Sequence, residues 1–510
     1  MVSFILRRIL VSVLVLIAAS FIMYMLTAYS AHPLDDLLQS NALNKQKLIQ
    51  ARIQALQLDV PPPLRWFLWI GGAAKCLIPL ANSCDLGQTI SNAEVIDILP
   101  RAMQSTVQLV AGALILAIIL GLALGIITAL RQYSGLDNVV TFTSFFLFSL
   151  PSFLIAVLLK EFIAIGFNDF LDKPIIAIGV VIAIGLVLGL VVQSIIGGEM
   201  RRRLIVGGAT AVISAIVLYA ISLSGWLLHP GLGPIGIFML AGGIGVGTTA
   251  LVAGLRNRRA LITAGINVVV AMIAYFSLQG LFNISSAGTL VILAIVTVAV
   301  GVVTGFLMGG YDRGQSIRVG AITAALSGGL VLLDRFMQSW PLYLSDTNNR
   351  PIATVGNQTP NLGGNVWESG IDTFTHFLLP TIALLLISFA SYTRYARAGM
   401  LETMGQDYVR TARAKGLPER TVVVRHAFRN MLIPITTLVA FDVGALLGGA
   451  IITESIFGIP GMGQLFFAGL GRGDLNPVMG YFIVIAGMAI LFNFLADLAY
   501  AALDPRVRVR

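Results

Sequence analysis

The chain has 510 residues, 57% hydrophobic and 11% charged, with a mean hydropathy of +0.89. Soluble domains carry about 25% charged residues, so a soluble fold is excluded, and the alternating patterns of a membrane β-barrel are absent. The net charge of +9 falls in short loops between apolar runs, where it sets orientation in a bilayer and does not mark nucleic-acid binding.

Twelve apolar segments are long enough to span: 9–29, 105–130, 139–163, 174–196, 204–224, 232–254, 260–282, 288–309, 319–339, 376–396, 432–453 and 479–502. Arg7 and Arg8 precede the first, which is long for a signal sequence and lacks a small-residue cleavage site. It reads as a span with the N-terminus cytoplasmic. The loops then expected inside hold Arg131, Arg201 to Arg203, Arg256, Arg258, Arg259, Arg313, Arg318 and, at the end, Arg506, Arg508 and Arg510. Both termini are therefore expected in the cytoplasm and the protein in the cell membrane.

Between the first two spans lies a polar segment, 30–104. Its stripe Leu43, Leu48, Ile49, Ile53 and Leu56 reads as a helix lying on the outer ends of the spans, a surface compatible with docking a solute-binding protein. Cys76 and Cys84 fall in this outer segment, where oxidation is permitted. They either bridge or stand as two thiols; no histidine is near, which argues against a metal. Further along, Lys160 and Glu161 lie near an outer end and are expected to snorkel.

Residues 173–340 carry a weak repeat. Basic residues precede similar apolar starts near 203, 260 and 318, spaced by 57 and 58 residues. A fixed period of this kind reads as three helical hairpins, each with a basic turn. Gly242, Gly243, Gly245 and Gly247 are expected to let helices approach closely. Asp334 and Arg335 sit near a span end, where snorkelling or mutual pairing accounts for them. An outer loop, 341–375, follows.

The most basic stretch runs from Tyr408 to Pro434 between two apolar spans. It reads as a short helix broken at Gly416-Leu417-Pro418, exposed on the cytoplasmic side. Ala412, Ala414 and Gly416 offer a small-residue face, with Arg410, Arg413, Lys415 and Arg420 around it for charge-assisted contacts.

This stretch resembles the coupling loop of permease subunits from ATP-binding-cassette importers, in the branch that carries dipeptides, oligopeptides or nickel. The resemblance continues at Asp85-Leu86-Gly87, at Ser149-Leu150-Pro151-Ser152-Phe153, from Leu446 to Glu454, at Ile459-Pro460-Gly461-Met462-Gly463, from Asn493 to Asp497, and at Leu503-Asp504-Pro505-Arg506. It covers residues 1–172 and 372–510 and leaves out the middle. It implies an all-α polytopic membrane protein: a six-span type I importer core plus about six inserted spans, about twelve in total. The first span, 1–29, would join core spans two and three in 105–172 and spans four to six in 376–510, with the coupling loop at 397–431. The broader family has Glu-Ala-Ala, three residues, then Gly; here Arg410-Thr411-Ala412 precede Gly416, and the missing acid fits the peptide and nickel branch.

The resemblance further implies coupling to an ATPase through Arg410, Thr411, Ala412, Arg413, Ala414, Lys415, Gly416 and Leu417. The expected partners are two ATP-binding-cassette ATPase subunits, a second homologous permease, an extracytoplasmic solute-binding protein and membrane lipid. No P-loop pattern is present, so ATP and magnesium belong to the ATPases; the chain itself is expected to bind no cofactor or metal and to be no enzyme. Its pathway would be lined by the spans near 105–130, 139–163, 432–453 and 479–502. There Asp442, a carboxylate near mid-span, is the candidate pathway group; the other reading is a polar contact between helices. The expected cargo is di- or oligopeptides. Nickel or another small solute is the alternative, and a self-contained secondary transporter is a more distant one.

Overall fold

The computed structural model describes residues 2–41, 43–76, 84–196 and 198–503. Arg506, Arg508 and Arg510, the motif residues after Leu503, and the side chains of 446–449 and Asp497 lie outside the described residues. Helices dominate, and among the described residues the only β pairing is a single bridge, Gln88 with Glu94.

Ten helices are long and apolar enough to cross a membrane, up to twelve if each of two bent pairs counts as one span. In chain order α1 is Val2–Ser30 and α2 is Val95–Leu130. The first bent pair is α3 (Gly135–Ser149) with α4 (Ser152–Leu158), which continues through π-helical turns to Leu171. Six helices follow: α5 (Ile178–Ile195), α6 (Met200–Leu223), α7 (Gly233–Val252), α8 (Arg258–Ser277), α9 (Ala287–Met308) and α10 (Arg313–Asp346). Then come α11 (Val366–Met404), the short α12 (Asp407–Ala414) and α13 (Arg429–Gly449). The second bent pair is α14 (Ile451–Phe457) with α15 (Met462–Arg472), and α16 (Leu475–Leu503) ends the described chain. This is a multi-pass, all-α membrane protein.

The spine is α2 packed along α11. They hold 36 and 39 residues, about 54–58 Å of helix against a hydrocarbon core of about 30 Å, so both protrude. Small residues let them touch. A Cβ on Gly121 would lie 2.5 Å from Tyr392 Cβ, and one on Gly125 2.6 Å from Ala396 Cβ. The 104° bend between α3 and α4 has a local cause. Pro151 pushes Leu150 out of the helical region to φ −82°, ψ 131°, and Pro151 itself stays extended.

The second bent pair departs from the expected continuous span at 432–453. α13 ends at Gly449, and α14 and α15 meet at 85° across Gly458, whose φ of 60° places it in the left-handed region. This elbow sits at the end of the bundle opposite α12: Gly356 N donates to Phe457 O at 2.8 Å, and Ile90 N donates to Asp474 Oδ2 at 2.9 Å. Lys160 does not snorkel. Its Nζ donates to Ile456 O at 2.8 Å, placing a cation at the C-terminal end of α14.

The middle region consists of three antiparallel hairpins, α5–α6, α7–α8 and α9–α10, with the last two packed as a four-helix bundle. The glycines that bring helices together are not those expected. Gly242, Gly243 and Gly247 have open space where a Cβ would go, and only Gly245 meets a neighbour, Ala264. Close approach occurs instead where Gly189 faces Gly207 and where Gly301 and Gly305 face Gly320 and Ile317. Asp334 is wholly buried and neither snorkels nor pairs with Arg335. Its Oδ1 accepts from Leu232 N (2.6 Å) and Gly233 N (3.1 Å) at the start of α7, and Gln338 Nε2 donates to its Oδ2 (2.7 Å). Arg335 donates to Asn283 Oδ1 and lies 5.9 Å from the Trp367 ring. Trp367, fully buried, donates to Phe282 O at 2.7 Å and so joins the bundle to α11.

In the 30–104 segment the apolar stripe does form a helix, Lys45–Ala55, but none of its residues is buried. Arg52 tethers it to Asp36. The helix that lies against the spans is Pro62–Lys75, through Trp66, Trp69 and Ala73 beside Tyr24. Cys76 and Cys84 are bonded, with Cα atoms 4.4 Å apart; residues 77–83 between them lie outside the described residues.

Candidate functional site

The basic element is built to present charge. α12 carries Asp407 in its first turn and Arg413 in its last, as the helix dipole favours. It ends at Gly416, whose φ of +74° suits glycine; Gly416 N donates to Arg413 O (2.9 Å) and Leu417 N to Ala412 O (3.4 Å). Pro418 follows and cannot extend the helix. Arg410, Thr411, Arg413, Ala414, Lys415, Gly416 and Leu417 are exposed. Ala412 is not. It is 5% exposed and packs with Val409 and Val422 beneath the helix, against Met404. The expected small-residue face is therefore split: Ala414 and Gly416 are presented, whereas Ala412 anchors. Arg413 reaches Glu419 at 2.7 Å, and this guanidinium holds the Glu419 carboxyl below the usual range.

The element hangs from a braced helix end. In the last turns of α11, Arg397 donates from Nε to Asp137 Oδ1 (2.8 Å) and from Nη2 to Asp137 Oδ2 (3.0 Å), a two-pronged pair with α3. Asp137 is 3% exposed and also accepts from Tyr133 N at 3.0 Å. One turn earlier Arg394 stacks on the Phe148 ring at 3.8 Å. None of these was singled out from sequence. The signal available was a lone acid opening an apolar helix and two arginines closing another, but their pairing spans 260 positions.

At the opposite end Glu454 organises the elbow. It is wholly buried. Thr106 Oγ1 donates to its Oε1 at 2.6 Å, Gln464 N donates to its Oε2 at 3.0 Å, and Met462 N donates to Thr106 Oγ1 at 2.8 Å. A Cβ on Gly461 would come within 2.4 Å of that carboxylate, which explains the glycine. Above the elbow a cavity of about 1140 Å³ opens between the first turns of α2, the 357–358 loop, α11 and α15.

Asp442 lies midway along α13 and half-buried, beside the buried Tyr392 hydroxyl of α11. It does not line the cavity. The structure thus gives the carboxylate a helix–helix neighbour and places the large polar space elsewhere.

Residues 330–509 match the family model described as the binding-protein-dependent transport system inner membrane component. The chain is 42% identical over 155 residues to the oligopeptide transport system permease protein OppB of Mycobacterium bovis, covering 30% of this chain and 48% of that one. It is 36% identical over 230 residues to the dipeptide transport system permease protein DppB of Escherichia coli, covering 42% of this chain and 68% of the relative. The chain thus spans about half the length of the mycobacterial protein and about two thirds of the other.

Proposed function

The chain belongs to the binding-protein-dependent transport inner membrane components, and from that premise we propose that it is the permease subunit of an ATP-binding-cassette importer for di- and oligopeptides. Two ATPase subunits bind at the basic end, a second permease completes the bundle, and a solute-binding protein delivers cargo at the opposite end. The basic end faces the cytoplasm of a cell membrane, with both termini on that side.

The observation that carries this reading is the exposed α12, fixed to the bundle by Val409, Ala412 and Val422 and fed directly from the braced end of α11. A short, firmly anchored, cationic helix transmits force in both directions. ATP-driven closure of the ATPases displaces α12, α11 moves with it, and α2, packed along α11, carries the motion to the cavity and the elbow. Asp442 is the pathway candidate that takes part in this motion, by exchanging its contact with Tyr392 for cargo or solvent when α13 and α11 separate.

The test is reconstitution of the four-subunit complex in proteoliposomes with its binding protein. ATP-dependent uptake of labelled tri-alanine is expected, together with loss of uptake but retention of permease assembly when Arg410, Arg413 and Lys415 are changed to Glu. Solute accumulation by the purified chain alone, without ATPases, would refute the proposal.

A further inference from the structure

The face of α2 that borders the large cavity is polar in a regular way. Glu94, at the N-cap of α2, and Asp97, Arg101, Gln104 and Gln108 within it line the cavity and are spaced by three, four, three and four residues, so that they follow one helical seam. All five are exposed. No hydrogen bond or ion pair engages their side chains among the described residues. Asp97 and Arg101 stand in the order that favours an ion pair on a helix, yet none forms. Gln464 of α15 faces the seam across the cavity. Beyond Gln108 the same face turns apolar, at Ile115 and Ile119.

Five polar side chains in one line, with no intramolecular partner among the described residues, match an occupant that supplies both signs of charge and both donors and acceptors. A short peptide does so: ammonium at one end, carboxylate at the other, amides between. The lengths agree. Asp97 and Arg101 lie four residues apart on the helix, about 6 Å, and Glu94 and Arg101 seven residues apart, about 10 Å. An extended dipeptide spans about 7 Å and a tripeptide about 10 Å.

We infer that this seam is the first peptide-binding subsite of the permease. It holds the peptide extended along α2, with the free ammonium at Glu94 and Asp97, the free carboxylate at Arg101, and the carboxamides of Gln104, Gln108 and Gln464 serving longer chains. The assignment rests on the proposed peptide import and adds which end of the cargo each residue reads.

The experiment uses the assembled complex carrying Ile98→p-benzoylphenylalanine beside the seam, irradiated with labelled tri-alanine. The expected result is a cross-link that excess tri-alanine suppresses. Its C-terminal amide should suppress at least tenfold less well, and Arg101→Gln should erase that difference. N-acetylated tri-alanine should likewise compete at least tenfold less well, and Glu94→Gln with Asp97→Asn should erase that gap. If the unmodified complex imports tri-alanine but no cross-link forms, or competition ignores both termini, the subsite is overturned while peptide import stands. A cross-link to another subunit in place of the peptide makes the seam an assembly surface and also overturns it. Failure of the unmodified complex to import tri-alanine removes the proposed function and this inference together.

Discussion

Arg397 grips Asp137 with two nitrogens on two oxygens, at 2.8 and 3.0 Å, across the junction of α11 and α3. This pair lies ten residues before Asp407, where α12 begins. Stiffness between α12 and the pathway helices therefore depends on it. Arg397 keeps 30% of its side chain exposed and Asp137 only 4%, so the carboxylate loses more when the pair is broken.

Asp137→Ala is expected to lower stability by about 1–3 kcal/mol, because Arg397 can turn to water and limit the loss. The larger effect falls on coupling: ATP hydrolysis continues and uptake drops severalfold. Uptake per ATP hydrolysed in proteoliposomes measures this, and the exchange Asp137→Arg with Arg397→Asp should restore part of it. An unchanged ratio in the single variant would refute the bracing role.

Ala412 and Gly416 are expected to fail in different ways. Ala412→Leu overfills the small core with Val409 and Val422, costing about 1–3 kcal/mol and lifting α12 from its seat. Gly416→Val forces a β-branched residue to φ +74°, at about 1–2 kcal/mol, but leaves that core intact. Co-purification with the ATPases should fall further for Ala412→Leu than for Gly416→Val. The reverse order would mean that the glycine turn, and not the seating of α12, governs the contact.

Glu454→Ala leaves the Thr106 hydroxyl and Gln464 N–H without their acceptor in a buried site. A loss of about 3–5 kcal/mol is expected, with the α14–α15 elbow loosened first. Hydrogen exchange of residues 451–472 measures it. Unaltered protection there would show that the elbow is held by packing alone.

Asp474 gives a pH signature. It lies between α15 and α16, is 7% exposed, and burial pushes its carboxyl up to about 6. In the unfolded chain it titrates near 4. Below about pH 4 both states are protonated and the group imposes no penalty. Between 4 and 6 the unfolded chain gives up its proton while the folded protein keeps it, so stability falls as pH rises, by on the order of 2–3 kcal/mol in full. Above 6 the cost stays constant. Asp474→Asn keeps the acceptor for Ile90 N–H and removes the titration. Its melting temperature should exceed that of the unaltered protein at pH 7 and meet it near pH 4. Parallel melting profiles would rule the effect out.

Much of this architecture is legible in the sequence because bilayer depth sets the length of apolar runs. Eleven of the twelve expected spans fall on a helix or bent pair long and apolar enough to cross, the twelfth, 432–453, runs past the end of α13 into the elbow, and the three-hairpin reading of the middle follows its basic turns. The elbow at α14–α15 was hidden because Ile451 to Arg472 is apolar enough to pass for the end of one span and a loop. Its organiser is Glu454, whose partners come from α2 and α15. Gly242 to Gly247 misled because a glycine-rich face can point at lipid as easily as at a helix; only a partner such as Gly207 or Gly320 decides. The stripe at 43–56 had the right period but no surface to cover it. The polar seam on α2 has a period readable beforehand. It is inconspicuous because the polar composition up to residue 104 reads as part of the outer segment, whereas α2 begins at Val95.

The last turns of α10 belong to both halves of the molecule. Tyr343 Oη hydrogen-bonds with Thr375 Oγ1 (2.9 Å) and donates to Asp372 Oδ1 (3.2 Å), and the family match itself starts at residue 330. A shortened permease made by cutting at 173 and 340 would thus remove a beam on which the family-matched portion rests. The start of α7 supplies the N–H donors of the buried Asp334, and α7 and α8 pack on α10, so the α7–α8 and α9–α10 hairpins have to be kept together and only α5–α6, a pair whose loss leaves the sidedness of everything downstream unchanged, can be dropped. The smallest form that leaves every buried partner of α10 in place is accordingly two hairpins larger than the family core.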